Sequence, residues 1–354
     1  MGWSLVLFVL GWSAGWVVLW RVRGLPAPAS DDRPAVSIVV PARDEAASIG
    51  ALLASVQPQL RPLDQLIVVD DHSTDGTGVI ATAAGATVVA PPSLPAGWAG
   101  KPHACHAGQA VATNDVLVFV DADVRLGAGA LDGLVAELLR HPDELVSVQP
   151  WHAVERSHEQ LSLLFNITAL MGSGACSPLG ARVPTHVAFG PVIACRRDAY
   201  ARAGGHAHPS VRSAVLEDIA LARRFPRTRL FVGTRAGTVF RMYPDGVGQL
   251  VEGWTKGAGI GVDATPWWAL VCTAGWVTSL SGGWLTSPWF AVASLVQLFA
   301  FARRAGAFRW WAVLLFPVAV AFFVIVLGRS LWRRLTRRTV TWKGRELVPD
   351  QDTG

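Results

Sequence analysis

Three apolar stretches of this chain end in acids. Val116-Leu-Val-Phe-Val runs into Asp121-Ala-Asp123, Leu66-Ile-Val-Val into Asp70-Asp71, and Val36-Ser-Ile-Val-Val into Pro41-Ala-Arg43-Asp44-Glu45. Side chains two positions apart on a strand point the same way, so Asp121 and Asp123 can converge on one divalent cation at a strand tip. Carboxylate oxygens suit Mg2+ or Mn2+, which take few protein ligands and complete their shell with phosphate and water. The competing reading of an isolated Asp-x-Asp is a solvated turn. No Gly-x-Gly-x-x-Gly or Gly-x-x-x-x-Gly-Lys-Ser/Thr loop is present, so the phosphates of a nucleotide would be held by metal and side chains instead of a glycine cradle. Three strands delivering polar groups at their C-terminal ends are what an open, largely parallel sheet needs to build a ligand crevice.

The order Ser37-Ile-Val-Val-Pro-Ala-Arg-Asp-Glu45, Val68-Val-Asp-Asp-His-Ser-Thr-Asp-Gly-Thr77 and Asp121-Ala-Asp123 resembles a family 2 glycosyltransferase of GT-A fold. Leu94-Pro-Ala-Gly-Trp98-Ala-Gly-Lys101 resembles the signature of its membrane-bound, lipid-glycosylating branch. Glu217-Asp218 matches the acidic pair that carries the base. Arg241-Met-Tyr-Pro244, Glu252-Gly-Trp254-Thr-Lys256 and Val340-Thr-Trp-Lys-Gly-Arg345 are most similar to carotenoid-acid (diaponeurosporenoate) glycosyltransferases and hopanoid-associated relatives. The resemblance spans roughly residues 36 to 345.

It implies an inverting, metal-dependent enzyme with Asp218, beside Glu217, as general base. A helix N-terminus favours the ionised carboxylate there, although a plain N-cap would look the same. Asp123 is the implied direct ligand of Mg2+ or Mn2+, with Asp121 acting partly through water or the ribose. Of Asp70 and Asp71, one would accept protons from base and ribose and the other cap the Ser-Thr loop; the family pattern favours Asp71 for the nucleoside. Pro41, Arg43 and Glu45 would wall the nucleoside pocket, and Asp44 stands where relatives carry Asn. Lys101 would meet the base or the diphosphate. On the acceptor side stand Gly204, Gly205 and His206, then Gln249, Trp254 and Lys256; Trp254 reads equally as a membrane-interface tryptophan. Gln249-Leu-Val-Glu-Gly-Trp254 departs from the Gln-x-x-Arg-Trp of polymerising relatives, which points to transfer of a single sugar. His103, His106, His206 and His208 lack the placed fourth ligand of a zinc site.

The expected donor is a nucleotide sugar, UDP-glucose, and the expected acceptor a lipid-soluble molecule such as a carotenoid acid. A hopanoid, glycerolipid or polyprenyl phosphate is the alternative; a polysaccharide synthase or a non-catalytic nucleotide-sugar sensor is more remote. A carboxylic acid acceptor is already ionised near neutral pH, in which case Asp218 would orient it more than deprotonate it.

Composition places part of the 354 residues in lipid: 16% are charged against about 25% in soluble domains, 51% are hydrophobic, and 16 are Trp. The net charge of +5 comes from arginines near apolar segments, which reads as membrane-interface charge and not as a nucleic-acid surface. Cys105, Cys176, Cys195 and Cys272 form no Cys-x-x-Cys pair and are expected reduced, with the catalytic domain in the cytosol.

Residues 1–23 are expected as a transmembrane anchor: Met1 to Trp20 carries no charge and reaches about 30 Å as a helix, and Arg21 and Arg23 keep its end inside. Residues 24–35 are expected as a stiff linker, 36–260 as a cytosolic catalytic domain, 261–328 as a second membrane region and 329–354 as a basic cytosolic tail. The catalytic domain alternates strands and helices, the pattern of a doubly wound α/β mixed sheet. Ser157 to Met171 reads as an apolar helix against the sheet or on the membrane surface, Val187 to Cys195 as a strand, and Leu230 to Arg241 as a hairpin. Of the apolar runs Pro266 to Leu280, Trp284 to Phe301 and Trp310 to Gly328, an even number of spans satisfies the charge rule best. The protein is thus expected in the cell membrane as a multi-pass enzyme.

Overall fold

The computed structural model describes residues 2–27, 32–180, 185–336, 340–342 and 345–347. Part of the linker, Arg337 and Arg338 of the basic tail, and Lys343-Gly344 of the C-terminal motif lie outside the described residues. The chain falls into two compact units. One comprises Gly24–Pro150 and His186–Phe240; the other comprises Met1–Arg23, Trp151–Thr185 and Arg241–Pro349. Residues 151–185 and 241–260, expected inside the catalytic domain, thus belong to the second unit.

The first unit is built on seven strands: β1 (Val36–Ala42), β2 (Gln65–Asp70), β3 (Thr87–Val89), β4 (Val116–Val120), β5 (Leu145–Gln149), β6 (Val192–Arg196) and β7 (Thr228–Val232), in the order β3-β2-β1-β4-β6-β5-β7. The strands from β3 to β4 are parallel, β6 runs antiparallel to both neighbours, and β5 pairs parallel with β7. The sheet is the expected mixed α/β one. β1, β2 and β4 are buried almost throughout, as parallel strands covered on both faces must be. Pro41 does not interrupt the sheet, because pairing of β1 with β4 stops at Val39.

Helix Gly100–Val111 lies flush against β1 and β2. A Cβ at Gly108 would stand 2.4 Å from Val39 and 2.8 Å from Val69, so only glycine permits this approach. Two expectations fail here. Residues 230–241 form no hairpin: β7 joins the main sheet, while Val239–Phe240 pairs antiparallel with Val124–Arg125. The strand expected from Val187 begins only at Val192, because Gly190-Pro191 breaks the extended run.

The stretch expected as a free linker is tied down in its described residues. The backbone at Pro26 packs against Gly133 of helix Ala130–Arg140. Arg33, 8% exposed, joins Asp64 and Asp132, each at 2.7 Å. Burial alone would raise the Asp64 carboxyl, but the hydrogen bonds from Arg33 and from the Arg61 and Val36 amides hold it below its ordinary range.

In the second unit, Ser157–Ser162 is a 3-10 turn and Leu163–Gly172 an α-helix, buried among other helices of this unit. Phe165 stacks on Trp254 at 4.7 Å and meets Phe323 at 4.9 Å. Helix Gly2–Val18 packs on Trp267–Thr286 through glycines: a Cβ at Gly11 would lie 2.3 Å from the Gly275 carbonyl. The buried Gln297 amide accepts from the Trp276 indole and donates to the Trp12 carbonyl, joining three helices. Among the described residues, Phe316–Leu335 is the one helix long and apolar enough to cross a membrane; Ser4–Val18 is apolar but shorter.

Truncating Arg33 to Ala leaves the Asp64 carboxylate buried and unpaired, an arrangement that costs about 3–5 kcal/mol. Chemical denaturation of the variant should show a midpoint lowered accordingly, and an unchanged midpoint would show that the clamp contributes nothing.

Candidate active site

Lys101 occupies the first turn of helix Gly100–Val111, which packs on β1 and β2 through Gly108. Its ammonium reaches Asp121 Oδ1 at 2.7 Å and Glu217 Oε1 at 2.9 Å. One cation thereby joins the tip of β4 to the head of helix Glu217–Ala222. Burial works against the charge on Lys101, yet Asp121 and Glu217 hold its pKa well above the ordinary lysine value. Burial raises the pKa of Asp121 despite Lys101, with Glu217 and Glu45 adding to the rise.

Asp218 follows directly. Its Oδ2 accepts the Gly190 N–H at 2.8 Å and its Oδ1 the Ile219 N–H at 2.9 Å. Burial and the neighbouring Glu217 push it up to about 7, against the pull of Lys101 and the two amides.

The two aspartates after β2 divide their work. Asp70 Oδ1 accepts from the Ser73 amide at 3.0 Å, and the carboxylate lies where a Cβ on Gly78 would be. Asp70, expected among the donor-binding residues, is thus held as the loop cap. Asp71 is 5% exposed and faces Arg43 at 3.8 Å and His72 at 3.2 Å. Asp44 and His72 both have left-handed backbones, φ 50° and 58°. Asn and Asp enter that region more easily than most residues, which suits Asp44 to this turn. The Asp44 carboxylate accepts from the Thr74 amide at 2.8 Å, while the Ser73 hydroxyl accepts from the Asp44 amide. Glu45 accepts from Ser48 at 2.6 Å, and its amide donates to Thr77.

Asp121 and Asp123 are both half-buried after β4. Among the described residues no three His, Cys, Asp or Glu side chains are grouped to hold a metal. An all-oxygen pair of this kind fits a hard cation that draws its remaining ligands from a diphosphate and water.

Other expectations move. His206 is 2% exposed, in the core. It packs edge-on to Phe119 at 4.9 Å, and the Tyr200 hydroxyl accepts the His206 amide and lies 2.9 Å from Nδ1. Gly205 lets the chain pass the Tyr200 ring, 2.3 Å from where its Cβ would be. This turn is a packing device and not an acceptor contact for His206. In the second unit Gln249 closes a turn with Asp245, and the Trp254 indole donates to Ser162 at 3.0 Å. Arg241 of the Arg241-Met-Tyr-Pro244 motif pairs with Glu155 and the buried Glu159, each at 2.7 Å. Gly190, Pro191 and Ser147 belong to none of the motifs above; the Gly-Pro dipeptide is the one local signal of a turn among them.

A model described as glycosyl transferase family 2 matches residues 37–200. A 4,4'-diaponeurosporenoate glycosyltransferase of Staphylococcus aureus (strain USA300) is 32% identical over 96% of this chain and 96% of its own length. The chain belongs to glycosyl transferase family 2. It is a glycosyltransferase. The same-named protein of strain N315 is 33% identical over 88% of both chains. A mannosyltransferase from Pyrobaculum calidifontis, solved with GDP-Man and Mn2+, superposes with a TM-score of 0.55 at 19% identity, covering 94% of this chain and 98% of its own. The fold is therefore the GT-A-like α/β one.

His206 gives a pH dependence with a definite sign. Burial lowers its pKa to about 4 from 6.5. Its contribution to stability is whole above 6.5 and declines as pH falls toward 4, because the unfolded chain takes up a proton that the folded one refuses. The full loss is about 3 kcal/mol. Denaturation at pH 7 and pH 5 should show a decline that His206→Gln reduces; an equal slope in both proteins would exclude this source.

Proposed function

We propose that the enzyme transfers one hexose, glucose from UDP-glucose, to a lipid-soluble carboxylic acid of the carotenoid class, with inversion. The observation carrying the reading is Lys101, whose two ion pairs gather Asp121 and the Glu217-Asp218 pair in one place. The acceptor class rests on the relative that matches nearly the whole chain.

In this reading Asp71, Arg43, Glu45 and Pro41 receive the nucleoside, and Asp123 with Asp121 holds Mg2+ or Mn2+. When bound, that cation neutralises the charge that grows on the leaving diphosphate. The acceptor oxygen forms a bond to the anomeric carbon from the face opposite the breaking bond to the diphosphate. Lys101 offers a second positive charge beside the acids and keeps their mutual repulsion down. Asp218 stands at the acceptor oxygen. For a hydroxyl it removes the proton; for a carboxylate no proton has to leave, and Asp218, half-protonated near pH 7, can donate a hydrogen bond instead. Phe316–Leu335 spans the bilayer, with Arg329, Arg333 and Arg334 marking the cytosolic end.

Asp123→Asn should lower kcat by about 10²–10³-fold, and titration of UDP in the presence of Mn2+ should show weakened binding; unaltered values would remove Asp123 from the site. The acceptor class is read from Asp218→Asn. With a hydroxyl acceptor the loss is about 10²–10⁴-fold and the wild-type rate climbs with pH through about 7. With a carotenoid acid the wild-type rate falls as pH rises through about 7, where Asp218 loses the proton it donates, and the variant, whose amide still donates, retains most activity. A rate that climbs with pH on the acid acceptor would overturn the proposed acceptor chemistry.

A further inference from the structure

Phe189-Gly190-Pro191 lies outside every motif of the sequence, yet its backbone bonds to both acid centres. The Gly190 N–H donates to Asp218 Oδ2 at 2.8 Å, and the Pro191 carbonyl accepts the Asp121 amide at 2.9 Å. The stretch is itself pinned. The hydroxyl of Ser147, wholly buried on β5, accepts from the Phe189 N–H at 2.7 Å and donates to the Phe189 carbonyl at 2.9 Å.

Space at Gly190 is as restricted as its bonding. A Cβ there would lie 3.1 Å from Asp218 Oδ2, 3.2 Å from Lys101 Nζ and 3.4 Å from Asp218 Cβ. The backbone of Gly190 is outside the left-handed region, so a side chain would bring no strain of its own. It would instead move a carboxylate and an ammonium by a few tenths of an ångström. Helix Glu217–Ala222, which carries Asp218, has six residues and too few turns to be rigid alone. The aim of the Asp218 carboxylate is therefore set from outside its helix.

We infer that Ser147, Phe189, Gly190 and Pro191 form a positioning strap for glycosyl transfer, fixing Asp218 against the Asp121 tip, with Gly190 as its size-critical residue. This rests on the reading that Asp218 handles the acceptor oxygen. Misplacement by 1 Å can cost about 10²-fold in rate, so a shift of a few tenths corresponds to about tenfold.

The test is a size series in the full-length enzyme, with UDP-glucose, Mn2+ and 4,4'-diaponeurosporenoate as probes. Gly190→Ala should lower kcat about tenfold and Gly190→Val further, with the KM for UDP-glucose within about twofold of wild type. In an Asp218→Ala background, which lacks the hydrogen-bond donor and is itself lowered about a hundredfold, Gly190→Ala should add no further loss, because the two changes act through one group. An undiminished kcat in Gly190→Ala beside an impaired Asp218→Ala overturns the strap, as does a full additional loss in the double variant. An undiminished kcat in Asp218→Ala overturns the underlying reading instead. If the Gly190 variants do not fold, Ser147→Ala serves: it should lower kcat several-fold without affecting the KM for UDP-glucose, and unchanged kinetics overturns the strap.

Discussion

The Lys101 ammonium holds together an arrangement that its neighbours alone would resist. Asp121, Glu217 and Asp218 come from distant parts of the chain, and three carboxylates in one half-buried place repel one another. A single cation at 2.7 and 2.9 Å from two of them offsets that repulsion. Its own charge is kept by the same contacts, since burial without them would drive the proton off. The N-terminus of the helix that carries Lys101 adds positive potential on the same side. Residual repulsion is visible in Asp218, pushed up to about 7 by burial and by Glu217. For a glycosyltransferase this balance matters chemically: a carboxyl group near neutrality can either take a proton or lend one.

Everything that places Lys101 is packing. Its helix reaches β1 and β2 only because Gly108 has no side chain to hold them apart. The three strands ending in acids are buried runs of β-branched residues, which fixes where their C-terminal tips lie. The loops beyond the tips are then tied to each other. Asp44 exchanges hydrogen bonds with Ser73 and Thr74, Asp75 accepts the Ala46 amide, and two non-glycine residues accept left-handed backbones to make this possible. Strain of this kind, held by its surroundings, is common at ligand sites.

The helical unit shows how a motif can be specific without being chemical. Arg241-Met-Tyr-Pro244 reads like site sequence, but Arg241 is spent on Glu155 and Glu159, the Tyr243 carbonyl meets His158, and the Pro244 carbonyl accepts from Arg156. Trp254 lies on Phe165 with its indole nitrogen on Ser162. These residues fix the entry to helix Val247–Ala264.

The three strands that end in acids and the family were legible in the residues alone, because apolar runs and short motifs are local properties of a chain. Asp71, Lys101, Asp121, Asp123 and Asp218 were all legible in that way. Only the tertiary structure decided that Lys101 pairs with Asp121 and Glu217, that Asp70 caps a loop while Asp71 faces Arg43, that His206 is a core residue, and that Arg33 is locked between two aspartates instead of lying in a free linker. These depend on which segments the fold brings together or on which ring fills which space. Residue type carries no record of such distances. Gly190 is the clearest case: its importance is the absence of a side chain at a point where two charged groups from elsewhere in the chain arrive.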